Sequence, residues 1–137
     1  MAHTIRRAVY FYATVHDHAG EAYELLSQFA TQGVNLVAVT ALPYGPMRTQ
    51  LTLFPQDQAQ MRNAALQVGI ELDGPYSALL VQGDDQIGVI AEMHSKLHHA
   101  RVDVYASNGV TDGRGGYGYV IYVRPEDFEK AAQALEV

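Results

Sequence analysis

The chain has 137 residues, 48 % of them hydrophobic and 18 % charged, which excludes a disordered chain and allows one compact unit or two very small ones. There is no cysteine, so disulfides and thiolate metal sites are excluded. The net charge is −6, no Lys/Arg cluster exceeds Arg6-Arg7, and no apolar run nears the roughly 18 residues of a membrane span. No signal-peptide core follows the basic N-terminal residues. A cytoplasmic protein with neither nucleic-acid nor membrane partners is therefore expected.

In chain order, Ala8 to Val15 is rich in Tyr, Val and Phe and reads as a strand. His16-Asp17-His18-Ala19-Gly20 turns into a helix whose apolar positions Ala22, Leu25, Leu26 and Phe29 keep helical spacing. Gly33 stands where a left-handed C-cap is wanted. Val34 to Leu42 and Met47 to Phe54 read as strands around the turn Pro43 to Pro46. Pro55 suits the first turn of a helix carrying Met61, Ala64, Ala65 and Val68, which Gly69 stops. Ile70-Glu71-Leu72 reads as a short fourth strand before the turn Asp73-Gly74-Pro75.

The order then repeats. Tyr76 to Gln82 is a strand, and about Gly88 to Ala100 a helix burying Ile90, Met93 and Leu97. Val102 to Ser107 and Tyr117 to Arg124 are strands joined by a Gly-rich loop. Pro125 opens a last helix with Phe128, Ala131, Ala132 and Leu135 inward. A shift of 68 residues places Asp17 on Asp85, Gly20 on Gly88, Leu25 on Met93, Phe29 on Leu97 and Asn35 on Asp103. A shift of 70 then places Leu53 on Val123, Pro55 on Pro125 and Met61 on Ala131. The expected fold is α+β: two ferredoxin-like βαββαβ modules in tandem, residues 5–72 and 76–137, with antiparallel sheets and helices on one face. The second module lacks a visible last strand. Strand Val34 to Ala41 is apolar on both faces, so a homodimer is expected.

The pattern resembles the ACT-domain superfamily, and in particular the short bacterial proteins made of two ACT domains, over about residues 8 to 137. The resemblance rests on Asp17-His-Ala-Gly and Asp85-Gln-Ile-Gly after the first strands, and on Gly33-Val34-Asn35-Leu36 and Arg101-Val102-Asp103-Val104 after the first helices. It rests also on Arg124-Pro125-Glu126-Asp127-Phe128 before the last helix. The family's loop proline is replaced by Ala19 and Ile87. The resemblance implies a non-catalytic regulatory protein that needs no cofactor, binds a small molecule of the amino acid class and passes its output to a separate protein partner. It places the ligand between the first loop of one module and the start of strand 2 in the other, which selects Asp17, Ala19, Gly20 and Asn35, with Asp85, Ile87, Gly88 and Asp103.

The physics of the loop points the same way. A glycine at a helix start lets a ligand approach the backbone, the free N–H groups of the first turn attract a carboxylate, and a nearby Asp receives an ammonium group. The plainer alternative is that Asp17 and Asp85 cap their helices and the glycines serve packing.

Other readings compete. Gly116-Tyr117-Gly118-Tyr119-Val120-Ile121-Tyr122 fits most of an RNA-recognition-motif strand, with Tyr117 and Tyr119 as base-stacking rings. Against it, Gly115 occupies the leading basic position and the matching first strand, Ala78 to Val81, offers no aromatic. His94 and His98, four apart on a helix with His99 following, have the spacing of a metal pair but no evident third ligand. His16 and His18 flank Asp17 and would give the loop a pH dependence, but no nucleophile accompanies them. A ligand-free dimerisation or protein-interaction module is the remaining alternative.

Overall fold

The computed structural model describes residues 3–16 and 18–137. Its elements are β1 (His3–His16), α1 (Glu21–Thr31), β2 (Leu36–Pro43), β3 (Arg48–Pro55), α2 (Gln58–Val68), β4 (Asp73–Asp84), α3 (Val89–His99), β5 (Val104–Thr111), β6 (Gly116–Val123), a 3-10 turn (Pro125–Asp127) and α4 (Phe128–Ala134). Hydrogen-bonded neighbours follow the order β2-β3-β1-β4-β6-β5. The chain divides into two compact units, Val9–Tyr76 and Ser77–Val137, the latter with the start of the chain up to Ala8. Strands β1 and β4 each give one stretch to either unit.

In the first unit, β3 lies antiparallel to both β1 and β2, with Phe11 and Val39 opposite Leu53. Alternation sends Phe11, Ala13, Val15, Leu51 and Leu53 to the helical face, where Leu25 and Phe29 of α1 and Met61, Ala64 and Ala65 of α2 close the core. Tyr10, Thr52 and Phe54 of these strands are buried too. The unit is completed by the first residues of β4. There Gly74 approaches the sheet so closely that a Cβ would stand 3.0 Å from the Tyr10 carbonyl oxygen.

The second unit is built the same way. Leu79 and Val81 of β4, Tyr117, Tyr119, Ile121 and Val123 of β6, and Val89, Met93 and Leu97 of α3 form its core with Ala131, Ala132 and Leu135 near the C-terminus. The strand missing after α4 comes from the other end of the chain. Ile5 of β1 packs on this core, and Arg7 holds α4 through Glu129 Oε2 at 2.8 Å and the Val137 carbonyl at 3.2 Å, its guanidinium 5.7 Å from the centre of the Phe128 ring.

The first helix of each unit ends in one hydrogen-bond motif. Val34 N–H donates to the Phe29 carbonyl and Gly33 N–H to that of Ala30; Val102 N–H donates to Leu97 and Arg101 N–H to His98. The left-handed residue is Gly33 in one unit (φ +81°) and Arg101 in the other (φ +61°). A register irregularity also falls between Leu36 and Ala38 and between Val104 and Ala106, again 68 residues apart.

Several sequence expectations are corrected. The pair Phe11–Leu53 maps on Leu79–Ile121, so the strands keep the shift of 68 and Leu53 matches Ile121, not Val123. The two extra residues fall later, at the 3-10 turn, after which Met61 and Ala131 are both fully buried at a shift of 70. Pro55 ends β3 instead of opening a helix; α2 starts at Gln58, where the Asp57 side chain accepts the Gln60 N–H at 3.1 Å. Ile70-Glu71-Leu72 is not a strand, because the completing strand begins at Asp73. Val89, not Ile90, enters the core: α3 begins directly after Gly88, so the inward row is Val89, Met93 and Leu97, and Ile90 is 38 % exposed. Phe128 is half-buried against the core.

Candidate functional site

Both helices that follow a first strand begin in the same way. Gly20 (φ +91°) and Gly88 (φ +84°) occupy the N-cap positions of α1 and α3 in the left-handed region, which glycine enters without steric cost. The N-cap glycines have no side chain to cap with, and among the described residues no other side chain caps either helix, which leaves early N–H groups for an outside acceptor. Among the described residues Asp85 makes no side-chain hydrogen bond to the start of α3. Asp17 lies outside the described residues. Ala19 and Ile87 are exposed in the turns, Ile87 fully so.

The strand-start residues are tied locally. Asn35 Nδ2 donates to Gln56 Oε1 at 2.9 Å and the Gln56 N–H to the Asn35 carbonyl at 2.8 Å, which braces the entry to β2 against the turn after β3. Asp103 is exposed and sits 3.7 Å from Arg124 Nη1, a weak surface ion pair. Within each unit these contacts join the strand starts to the turn after the third strand, not to the glycine loop.

The two loops differ in what fills them. At α1, Glu21 folds back: Oε1 accepts the His16 N–H at 2.8 Å and lies 3.2 Å from His16 Nδ1. The backbone donor, aided by the imidazole, holds this carboxyl below the usual range. The His16 and His18 rings stack 5.7 Å apart. At α3 the matching residue is Val89, 5 % exposed and turned into the core. The α3 loop is tied instead to the β5–β6 turn, where the Asp85 N–H donates to the Gly115 carbonyl at 2.8 Å. That turn is organised by Asp112, whose carboxylate accepts the Arg114 and Gly116 N–H groups at 2.7 and 3.0 Å; those bonds lower its pKa.

No protein-family model and no curated protein matches the chain. Among solved structures it is similar to protein BT0572 of Bacteroides thetaiotaomicron, at 14 % identity and a TM-score of 0.82 over 96 % of this chain and 88 % of that one. It is similar to the regulatory subunit of aspartate kinase from Thermus flavus, at 17 % identity and a TM-score of 0.62 over 98 % of this chain and 94 % of that one. The ligand-free regulatory subunit from Thermus thermophilus gives 18 %, 0.62, 99 % and 95 %. The likeness is one of fold.

The remaining candidates fall into place as packing. Tyr117 and Tyr119 are each 7 % exposed and point to the helical face, so neither offers a ring for a base to stack on. Tyr119 Oη donates to Ser107 Oγ at 2.9 Å and lies 2.7 Å from His94 Nε2, so His94 is engaged in a part-buried hydrogen-bonded row. Among the described residues no three His, Asp or Glu side chains converge as metal ligands, and no helix is long and apolar enough to cross a membrane.

Two features of the first unit's helix start escaped the sequence reading. One is the back-folded Glu21, whose only sequence signal is the Glu21/Val89 contrast at a shift of 68. The other is a cleft of about 250 Å³ on the first unit, with Glu21, Glu24, Glu71 and Gln28 around a floor that includes Leu25 and Ile70. Three carboxylates on one rim favour a cationic group there, but α1 and the turn after α2 supply them from places no local pattern connects.

Proposed function

We propose that this chain is a non-catalytic regulatory protein of two tandem ACT-type modules, corresponding to residues 5–72 and 76–137, that binds a small metabolite of the amino acid class at its glycine loops. The observation that carries this reading is the pair of left-handed glycines, Gly20 and Gly88, each opening an 11-residue helix that no side chain among the described residues caps. Such a start offers N–H groups and the positive end of the helix dipole to a carboxylate. In this reading Asp17 and Asp85 accept the ammonium group, and Asn35 and Asp103 are further ligand-binding candidates on the family resemblance alone, since within each unit they are tied to the turn after the third strand. Similarity in fold to the aspartate kinase regulatory subunits supports a regulatory role. Binding would favour one arrangement of the protein to the extent that affinities differ between arrangements, and the output would pass to a separate cytoplasmic partner.

The test is thermal unfolding against each of the twenty amino acids and a short RNA pool. A ligand at about 100 times its dissociation constant adds about 2.7 kcal/mol, which moves the midpoint by a few degrees. A selective rise with an amino acid is expected. A salt-sensitive rise with RNA alone would overturn the reading.

A second reading has its own observation. The edge strand β2 exposes Val39 and Leu42, and the turn after it exposes Tyr44 and Met47, in a stretch free of the lysines that usually guard such edges. A ligand-free homodimer through β2 would use this edge. Sedimentation of wild type and Val39→Lys tests it: dissociation by the substitution is the expected outcome if β2 is the interface.

A further inference from the structure

We infer that the chain has one carboxylate-binding site, at the start of α3 in the second unit, to which the Tyr117 hydroxyl contributes, while the matching loop at α1 carries the protein's own Glu21 carboxylate. The inference rests on the amino-acid reading above and assigns it a number of sites and a further binding residue.

At α1, Glu21 already places a carboxylate in the loop before the helix. Its oxygen has a backbone N–H donor at 2.8 Å and an imidazole nitrogen at 3.2 Å. These are the contacts of a bound anion, made by a residue of the same loop. An outside carboxylate approaching this helix start would meet that negative charge and be repelled.

At α3 nothing returns. Val89, the counterpart of Glu21, is turned into the core, and the uncapped first turn follows Gly88. A second, independent feature lies in the same core, close enough to the loop for the Asp85 charge to act on it. The Tyr117 hydroxyl is buried and has no hydrogen-bond partner among the described residues. Its place is set by register: Tyr117 stands opposite Gly83 of β4, two residues before Asp85, and packs in one cluster with Val89. Burial first, and the nearby Asp85 carboxylate second, push its pKa up, so it remains a proton donor. In the first unit the corresponding residue is Thr49, opposite Val15, too short to reach so far. A buried hydroxyl without a partner is uncommon, because it forfeits its bonds to water and gains none. A ligand carboxylate seated on the first turn of α3 gives it an acceptor. Asp85, exposed and without an ion-pair partner among the described residues, accepts the ammonium group. An α-amino acid supplies both charges at the spacing of one carbon.

The experiment is a titration of the isotope-labelled full chain with each of the twenty L-amino acids singly, following backbone amide resonances, with calorimetry on any that bind. Binding of one molecule per chain is expected, with shifts at Asp85 to Ala91 and none at His18 to Glu24. The amide derivative of the same amino acid should not bind. Tyr117→Phe should weaken binding about tenfold, the loss of one hydrogen bond to a charged group, while leaving the thermal midpoint of the free protein unchanged or higher. Glu21→Ala should add shifts at the α1 loop and a second site. Two molecules per wild-type chain, shifts at α1 in wild type, or unchanged affinity in Tyr117→Phe would each overturn this inference and leave the amino-acid reading standing. Silence across all twenty amino acids would overturn both. A lower midpoint for Tyr117→Phe without ligand would show that the hydroxyl already has a partner, and would overturn the inference whatever binds.

Discussion

The two units share a backbone plan at a shift of 68 residues, yet they solve three equivalent positions differently. Position 41 is Ala opposite Leu51; position 109 is Gly opposite Tyr119. Position 33 is Gly and position 101 is Arg, both left-handed. Position 21 is a glutamate that folds back on its own loop, and position 89 is a core valine. Each contrast shows one residue type compensating for another within a fixed backbone. The larger Tyr119 needs the smaller Gly109 beside it. The inward Val89 fills the core where Glu21 instead occupies the loop. A repeat therefore makes its own control: where the backbone is constant, a change of side chain reports packing or binding.

The largest effect is expected from the first contrast. A Cβ on Gly109 would lie 2.7 Å from Tyr119 Cδ1 and 3.0 Å from the Gly118 carbonyl oxygen. The ring cannot retreat freely, because its hydroxyl is held by Ser107 and His94. Gly109→Ala should therefore destabilise by roughly 1–3 kcal/mol, the usual cost of overpacking, read from urea unfolding. Pairing it with Tyr119→Leu, which copies the first unit, should recover part of the loss. No recovery would show that Gly109 is needed for a reason other than the ring.

The second contrast predicts a gain. A non-glycine residue in the left-handed region is strained by about 1–2 kcal/mol. Arg101 is exposed, and its backbone N–H already makes the bond that Gly33 makes. Arg101→Gly should thus raise stability by up to about 1 kcal/mol, the strain relief being partly offset by the greater freedom of glycine when unfolded. The reverse change, Gly33→Ala, meets both the strain and Gln60 Nε2 at 3.0 Å and should destabilise. Equal effects of opposite sign would mean that the contact with Gln60 contributes nothing.

Much of this plan is legible in the letters, because it rests on local physics. Helical spacing at Leu25 and Phe29, glycines at Gly20, Gly33 and Gly69, and strand-rich runs each act over a few residues. What escapes depends on distant partners. Strand β1 reads as starting at Ala8 because the apolar alternation strengthens there; its earlier part, with Ile5 and Arg7, gains meaning only from α4. The strand shift of 68 was masked by the prolines Pro55 and Pro125, which look alike but end a strand in one unit and open a 3-10 turn in the other. The glycine loops were found from sequence, since a helix start after glycine is a local signature. The orphan hydroxyl of Tyr117 was not, since it depends on every side chain that fails to reach it.

The smallest expected effect belongs to the third contrast, and it separates by pH. Glu21 is held below the usual carboxylate range by the His16 N–H bond, and Asp112 by the N–H groups of Arg114 and Gly116. A carboxyl whose folded pKa is depressed contributes stability above its unfolded value, and loses it as pH falls through the folded one. Both losses therefore belong below about pH 4.5. Both groups are solvent-exposed, so each contribution is small and weakened by salt. Glu21→Gln should flatten the fall of thermal midpoint between about pH 4.5 and 3 without changing the midpoint slope above pH 6. Asp112→Asn should flatten the same window independently, because the two carboxylates serve different loops, and the double variant should sum the two effects. If Glu21→Gln leaves the acid limb unchanged, the carboxylate is not held by its loop in solution, and α1 would then be as open to an outside carboxylate as α3.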